Sequence, residues 1–136
     1  KEDNEEWIGA KKQGLKILHR SDFLDLLLSK KKPLLVTGTH GKTTTTALLA
    51  WTLKEACLDP SFVVGGILRS LGTNGLLGQG PFFIAEADES DGSFQKFRPY
   101  GAIITNIGSD HVDHYGTKEN LVGAFKKFIG QVESSD

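Results

Sequence analysis

Thr37-Gly38-Thr39-His40-Gly41-Lys42-Thr43-Thr44-Thr45-Thr46 joins two glycines, a lysine and four successive hydroxyls directly behind the apolar run Leu34-Leu35-Val36. Glycines let a backbone turn tightly and bring its N–H groups close to phosphate oxygens, and a helix starting there adds the positive end of its dipole. In such a loop Lys42 supplies a mobile cation to the β- and γ-phosphates of a nucleotide, and Thr43 a hydroxyl to Mg²⁺. The spacing departs from the commonest phosphate loop, because Val36 stands where the first glycine would be. A plain strand-to-helix turn is the competing reading, but four threonines are poor material for opening a helix on propensity alone. The spacing therefore points to phosphate binding.

Two further clusters could serve the same chemistry. Phe82-Phe83-Ile84-Ala85-Glu86-Ala87-Asp88-Glu89-Ser90-Asp91 carries four acids in six residues behind an apolar run. Mg²⁺ takes oxygen ligands and often only one or two protein carboxylates, so Glu86, at the end of the run, is the candidate. Asp88, Ser90 or Asp91 could instead cap a helix. Thr105-Asn106-Ile107-Gly108-Ser109-Asp110-His111-Val112-Asp113-His114 follows another apolar run. There His111 could ligate metal, touch phosphate, or sit in a surface turn; its spacing alone leaves these open. Zinc is disfavoured, because the neighbours are carboxylates and the only thiol is remote.

Something must carry these clusters to one place. Pro33, Pro60, Pro81 and Pro99 each precede a short apolar run: 34–36, 62–64, 82–85 and 102–104. Proline is tolerated at a strand's first position, and continuous apolar runs suit strands covered on both faces. Helical stretches are expected at 5–13, 22–29, 42–57, 90–97 and 118–129, with Ser21 as N-cap of the second and a strand at 15–18. Alternating strands and helices predict an α/β fold, a mainly parallel doubly wound sheet with ligands at the strands' carboxyl ends. Residues 65–80 hold six glycines and the turn signal Asn74-Gly75, which predicts a loop or an antiparallel excursion. Lys30-Lys31-Lys32 reads as a solvated helix end, His19 as structural, and Cys57 as a small buried residue late in its helix.

The 136 residues fit one domain and little more, with 38% apolar and 24% charged residues. Sixteen Lys+Arg against seventeen Asp+Glu argue against a nucleic-acid surface. No apolar run approaches the roughly 20 residues of a membrane helix, and the charged opening is unlike a signal peptide. One cysteine excludes an internal disulfide and fits a reducing compartment, so a cytoplasmic location is expected, with no nucleic-acid or membrane partner. There is no internal repeat.

Taken together, the Gly38 loop, the Glu86 cluster and the Thr105 motif, in this order, closely resemble the Mur ligases of bacterial peptidoglycan synthesis. The resemblance implies a P-loop central ATPase domain over 33–136, with 1–32 as the end of a preceding UDP-sugar-binding domain and its linker. It implies ATP-dependent amide-bond formation with ATP and Mg²⁺: a carboxylate takes the γ-phosphoryl group, and an amine displaces phosphate from the acyl phosphate. By the same resemblance Gly38, Thr39, His40, Gly41, Lys42, Thr43 and Thr44 bind nucleotide, and Lys42, Glu86 and His111 are catalytic. Thr43 and Glu86 would hold one Mg²⁺, Glu86 and His111 a second. The pattern is most similar to family members that join L-alanine to UDP-N-acetylmuramate; the runner-up attaches a recycled tripeptide to that sugar nucleotide, and Ser90 favours the former. Several relatives carry a carbamylated lysine on the helix after the histidine; Phe125 or Lys126 stands there, so no modification is assigned. The match implies a piece of a longer enzyme, inactive alone. A non-catalytic nucleotide-binding module is the reading from another class, against which Glu86 and His111 accompany Lys42.

Overall fold

A computed structural model describes residues 3–108 and 112–132. In chain order the elements are α1 (Glu5–Lys12), α2 (Arg20–Leu28), β1 (Lys32–Thr37), α3 (Lys42–Glu55), β2 (Ser61–Leu68), β3 (Thr73–Leu76), β4 (Phe82–Glu86), a 3₁₀ turn (Ser93–Lys96), β5 (Gly101–Ile104), α4 (Val112–Tyr115) and α5 (Lys118–Ile129). The strands form one sheet in the order β3-β2-β4-β1-β5. β2, β4, β1 and β5 run parallel, and β3 is an antiparallel edge. Register places Val36 beside Glu86, and Thr37 beside Ile104. The carboxyl ends of three strands thus reach one edge together.

Alternation along the strands divides the core between the two faces. Leu35, Phe83 and Ala85 pack with Leu28 of α2, Phe94 and Phe97, and with Leu121, Phe125 and Phe128 of α5. Leu34, Phe62, Val64 and Ile84 face the other way, against Ala47, Ala50 and Leu53 of α3. Helices therefore cover both faces, and the four proline-led runs are the parallel strands. Phe125, 1% exposed, lies 5.2 Å from the Phe94 ring and is core, whereas Lys126 is exposed.

Local expectations fare unevenly. Residues 15–18 form no strand: nothing in the sheet pairs with them, and Leu15, Ile17 and Leu18 are exposed. The N-cap of α2 is His19 rather than Ser21. His19 Nδ1 accepts from the Ser21 amide, and Asp22 Oδ2 accepts from the His19 amide in a capping box. Residues 65–80 hold the antiparallel excursion, but Asn74 and Gly75 lie inside β3, and the chain reverses before it, where Gly72 has φ +66°. The helix expected over 90–97 shrinks to the 3₁₀ turn, because Asp88 and Asp91 accept from the amides of Ser90 and Ser93, and Gly92 turns left-handed. α3 ends at Glu55; Cys57 follows it at φ +59° and is exposed. Lys30-Lys31-Lys32 is more than a solvated end. Lys31 Nζ donates to the carbonyls of Gly78 and Gly80 at 2.5 and 2.8 Å, and Lys32 opens β1 with its ammonium 4.7 Å from the Tyr100 ring.

Candidate functional site

β1 ends at Thr37, and the chain turns through Gly38 (φ +126°) and Gly41 (φ +83°) into α3. Gly41 is the N-cap and has no side chain to bond the helix, so the first-turn amides of Lys42, Thr43 and Thr44 lack both an intrahelical carbonyl and a side-chain cap. That is the local condition for anion binding. A Cβ on Gly38 would fall against Thr105 Oγ1 and 2.7 Å from the Asn106 carbonyl, so only glycine passes there.

The segment after β5 grips this loop. Asn106 Oδ1 accepts from the His40 amide at 3.1 Å while its Nδ2 donates to the His40 carbonyl at 2.9 Å. Thr105 Oγ1 donates to that carbonyl at 2.6 Å, and Thr39 Oγ1 accepts from the Gly108 amide at 2.8 Å. The Thr39 amide donates to the Asn106 carbonyl. Thr39 and His40 amides are thereby engaged by Asn106, and the loop's open donors are narrowed to the start of α3.

At the mouth of the loop Thr43 Oγ1 donates to Glu86 Oε2 at 3.2 Å. Glu86 Oε1 accepts from the Gly65 amide at 2.7 Å, where β2 passes alongside. A Cβ on Gly65 would stand 3.1 and 3.3 Å from the two Glu86 oxygens and 3.3 Å from Thr43 Oγ1. Lys42 turns the other way: its Nζ donates to the Gly38 carbonyl at 2.7 Å and pairs with Glu89 Oε1 at 3.0 Å. Glu89 is fully buried, and its Oε2 accepts from Thr37 Oγ1 at 3.4 Å.

The structure brings Gly38, Thr39, His40, Gly41, Lys42, Thr43 and Thr44 into one loop and helix start, with Glu86 facing Thr43. His111 lies outside the described residues. Among the described residues no three of His, Cys, Asp and Glu converge as a metal cluster. Sequence reasoning missed Glu89, Gly65 and Asn106. The surplus of acids after β4 was a signal for Glu89, and the Thr105 motif held Asn106 without giving it a role; nothing in the local sequence pointed to Gly65. A cavity of about 560 Å³ opens beside Thr43 and Thr44, walled by Ala47, Trp51, Ile67 and Arg69.

A mainly parallel sheet whose first strand runs into a glycine–lysine–threonine loop, with a strand-end carboxylate beside the threonine, defines a P-loop-like fold. The Mur ligase middle domain family model matches residues 36–136, and the chain belongs to the Mur ligase family. It is 52% identical over 130 residues to the UDP-N-acetylmuramate–L-alanine ligase of Renibacterium salmoninarum, covering 96% of this chain and 28% of that protein. Among solved structures it resembles the UDP-N-acetylmuramate–alanine ligase MurC of Thermotoga maritima, with TM-score 0.89 and 37% identity over 97% of this chain and 31% of that one. It also resembles the UDP-N-acetylmuramate:L-alanyl-γ-D-glutamyl-meso-diaminopimelate ligase of Neisseria meningitides, with TM-score 0.83 and 29% identity over 98% of this chain and 47% of that one. The chain thus spans under a third of the length of the alanine-adding relatives named here. No helix among the described residues is long and apolar enough to cross a membrane.

Proposed function

We propose that this chain carries the phosphate-binding half-site of an ATP-dependent ligase that joins L-alanine to UDP-N-acetylmuramate through an acyl phosphate, in the bacterial cytoplasm. On this reading residues 33–136 are the first part of the central ATP-binding domain, and 1–32 are the end of the UDP-sugar domain with its linker. The observation that carries the proposal is the meeting of Thr43 and Glu86, 3.2 Å apart, at the mouth of the Lys42 loop. It joins two motifs 43 residues apart in the chain at the carboxyl edge of the sheet.

The residues fit Mg²⁺ and nucleotide phosphate. A hydroxyl and a carboxylate side by side are the oxygen donors Mg²⁺ prefers, and Gly65 keeps the space beside them clear of a side chain. Thr43 and Glu86 would hold the ion, which when bound offsets negative charge on the phosphates. A second ion held by Glu86 and His111 belongs to the same proposal.

The chain's own part in the chemistry is positioning and electrostatics. Amides at the start of α3, held in place by the Asn106 grip on His40, bind phosphate oxygens. The Lys42 ammonium offsets charge that develops on the transferred phosphoryl group. Such groups are fixed before substrate arrives, so little reorganisation is needed at the moment of reaction.

The test is ADP release by the full-length ligase containing this chain, with UDP-N-acetylmuramate, ATP and Mg²⁺. L-alanine and the L-alanyl-γ-D-glutamyl-diaminopimelate tripeptide are supplied in separate reactions. Release with L-alanine alone is expected. Release only with tripeptide would move the assignment to the recycling ligase, and no release with either would refute the ligase reading.

A further inference from the structure

One buried ionisable group has no place in the chemistry above. Glu89 is fully buried, whereas Glu86 and Asp88 on the same segment are only partly covered and Asp91 is exposed. A buried carboxylate is costly unless paired and hydrogen-bonded. Glu89 meets that demand with Lys42 Nζ at 3.0 Å and the Thr37 hydroxyl at 3.4 Å. Its backbone is fastened as well: the Glu89 carbonyl accepts from the Tyr115 hydroxyl at 2.5 Å and from the Gly92 amide at 3.1 Å.

We propose that Glu89 is a positioning residue for Lys42, holding the ammonium against the Gly38 carbonyl of the loop so that it meets nucleotide phosphate already oriented. The inference rests on the phosphate-site reading and extends it to a residue that touches neither nucleotide nor metal.

Three arguments carry it. A lysine side chain loses up to about 2 kcal/mol of rotamer freedom on being fixed, and Glu89 with the Gly38 carbonyl incurs that loss before ligand arrives. An ammonium has three N–H donors; these two partners take two, and the third reaches the Thr39 carbonyl only at 3.5 Å, a long contact that a phosphoryl oxygen can replace. Finally, Lys42 departing entirely would take its ammonium from a buried carboxylate, and breaking a buried ion pair is unfavourable. The pair therefore persists as phosphate binds, and two carboxylates three residues apart divide the work. Glu86 serves the Thr43 hydroxyl and Glu89 the Lys42 ammonium.

The experiment uses the full-length ligase and reads the Kd of Mg·ATP and kcat/KM for ATP in wild type, Glu89→Gln, Lys42→Ala and the double variant, with a thermal melt of each. Glu89→Gln keeps the shape and loses the charge; a fall of about 10- to 100-fold in kcat/KM is expected, the scale of a misplaced catalytic group. In the Lys42→Ala background the same substitution should change either quantity less than about 2-fold, because a residue acting only through Lys42 has nothing left to position. Glu89→Asp, which retains charge but withdraws it by one methylene, should fall between wild type and Glu89→Gln, and it serves as the probe where the glutamine variant melts early. Unchanged constants in both Glu89 variants, or an equal loss with and without Lys42, would overturn the proposal. Wild type that binds no Mg·ATP would instead overturn the phosphate-site reading itself.

Discussion

Gly65→Ala isolates the Thr43–Glu86 pair from everything else in the fold. No positive φ is present at Gly65, so alanine introduces no backbone strain there, and the amide that donates to Glu86 Oε1 is retained. What changes is space. The new methyl would lie 3.1 and 3.3 Å from the Glu86 oxygens and 3.3 Å from Thr43 Oγ1, so both must retreat by a few tenths of an ångström. Folding tolerates this easily, since Gly65 is exposed and surface substitutions usually stay within about 0.5 kcal/mol. A Mg²⁺ site does not, because the ion demands near-ideal geometry at about 2.0–2.1 Å. The expected loss is about 10- to 100-fold in Mg²⁺-dependent ATP affinity, or about 1.4–2.7 kcal/mol, with Tm nearly unchanged. The neighbouring Gly66→Ala is the internal control: its methyl meets only Thr43 Cγ2, at an ordinary 3.4 Å, and should be close to silent. Titration calorimetry of ATP with and without Mg²⁺ measures both variants in the full-length ligase. If Gly65→Ala binds Mg·ATP as wild type does, or if the two variants behave alike, Thr43 and Glu86 are not a metal pair.

Asn106→Ala removes both side-chain bonds to the His40 peptide; at about 1 kcal/mol each the loop loses about 2 kcal/mol of ordering, seen as faster amide exchange at His40 and weaker nucleotide binding. Phe125→Ala empties a site packed against Phe94 in the core and should cost about 3–5 kcal/mol in urea unfolding. Tyr115 gives a pH signature. Burial first, then the carboxylates of Glu89, Asp91 and Asp88, push its hydroxyl up to about 12 from 10. The neutral phenol is thus favoured by folding, so its contribution is complete below about pH 10 and lost as pH rises towards 12. Unfolding followed by circular dichroism should show that alkaline limb in wild type and a flatter one in Tyr115→Phe.

The elements that could be read in advance were those whose cause is local. Four apolar runs, each led by a proline, became the parallel strands, because a continuous apolar run suits a sheet with helices on both faces even where Val63 and Ile103 stay exposed. The helix expected over 118–129 formed as α5, and the structure adds the Thr117 cap, whose hydroxyl accepts from the Asn120 amide. Errors clustered where a second segment decides the outcome. Leu15–Leu18 has a strand-like composition but no ladder partner, and Lys31 is held by carbonyls that arrive from residues 78 and 80. The acids after β4 were read as one cluster with one candidate, whereas burial separates them: Glu86 to Thr43, Glu89 to Lys42, Asp88 and Asp91 to turns.

The sequence by itself determined the chemical vocabulary of this protein. The phosphate-binding role proposed for glycine, lysine and threonine in the strand-to-helix loop rests on backbone freedom and side-chain type, both of which are properties of neighbouring residues. The tertiary structure alone decided which carboxylate meets which group, because Glu86 and Glu89 differ in what the folded sheet places against them rather than in kind. It also decided that Gly65 lies against Glu86 and that Asn106 grips His40, contacts across 21 and 66 residues of chain. Long-range proximity is set by the register of parallel strands, and no short window of sequence contains it.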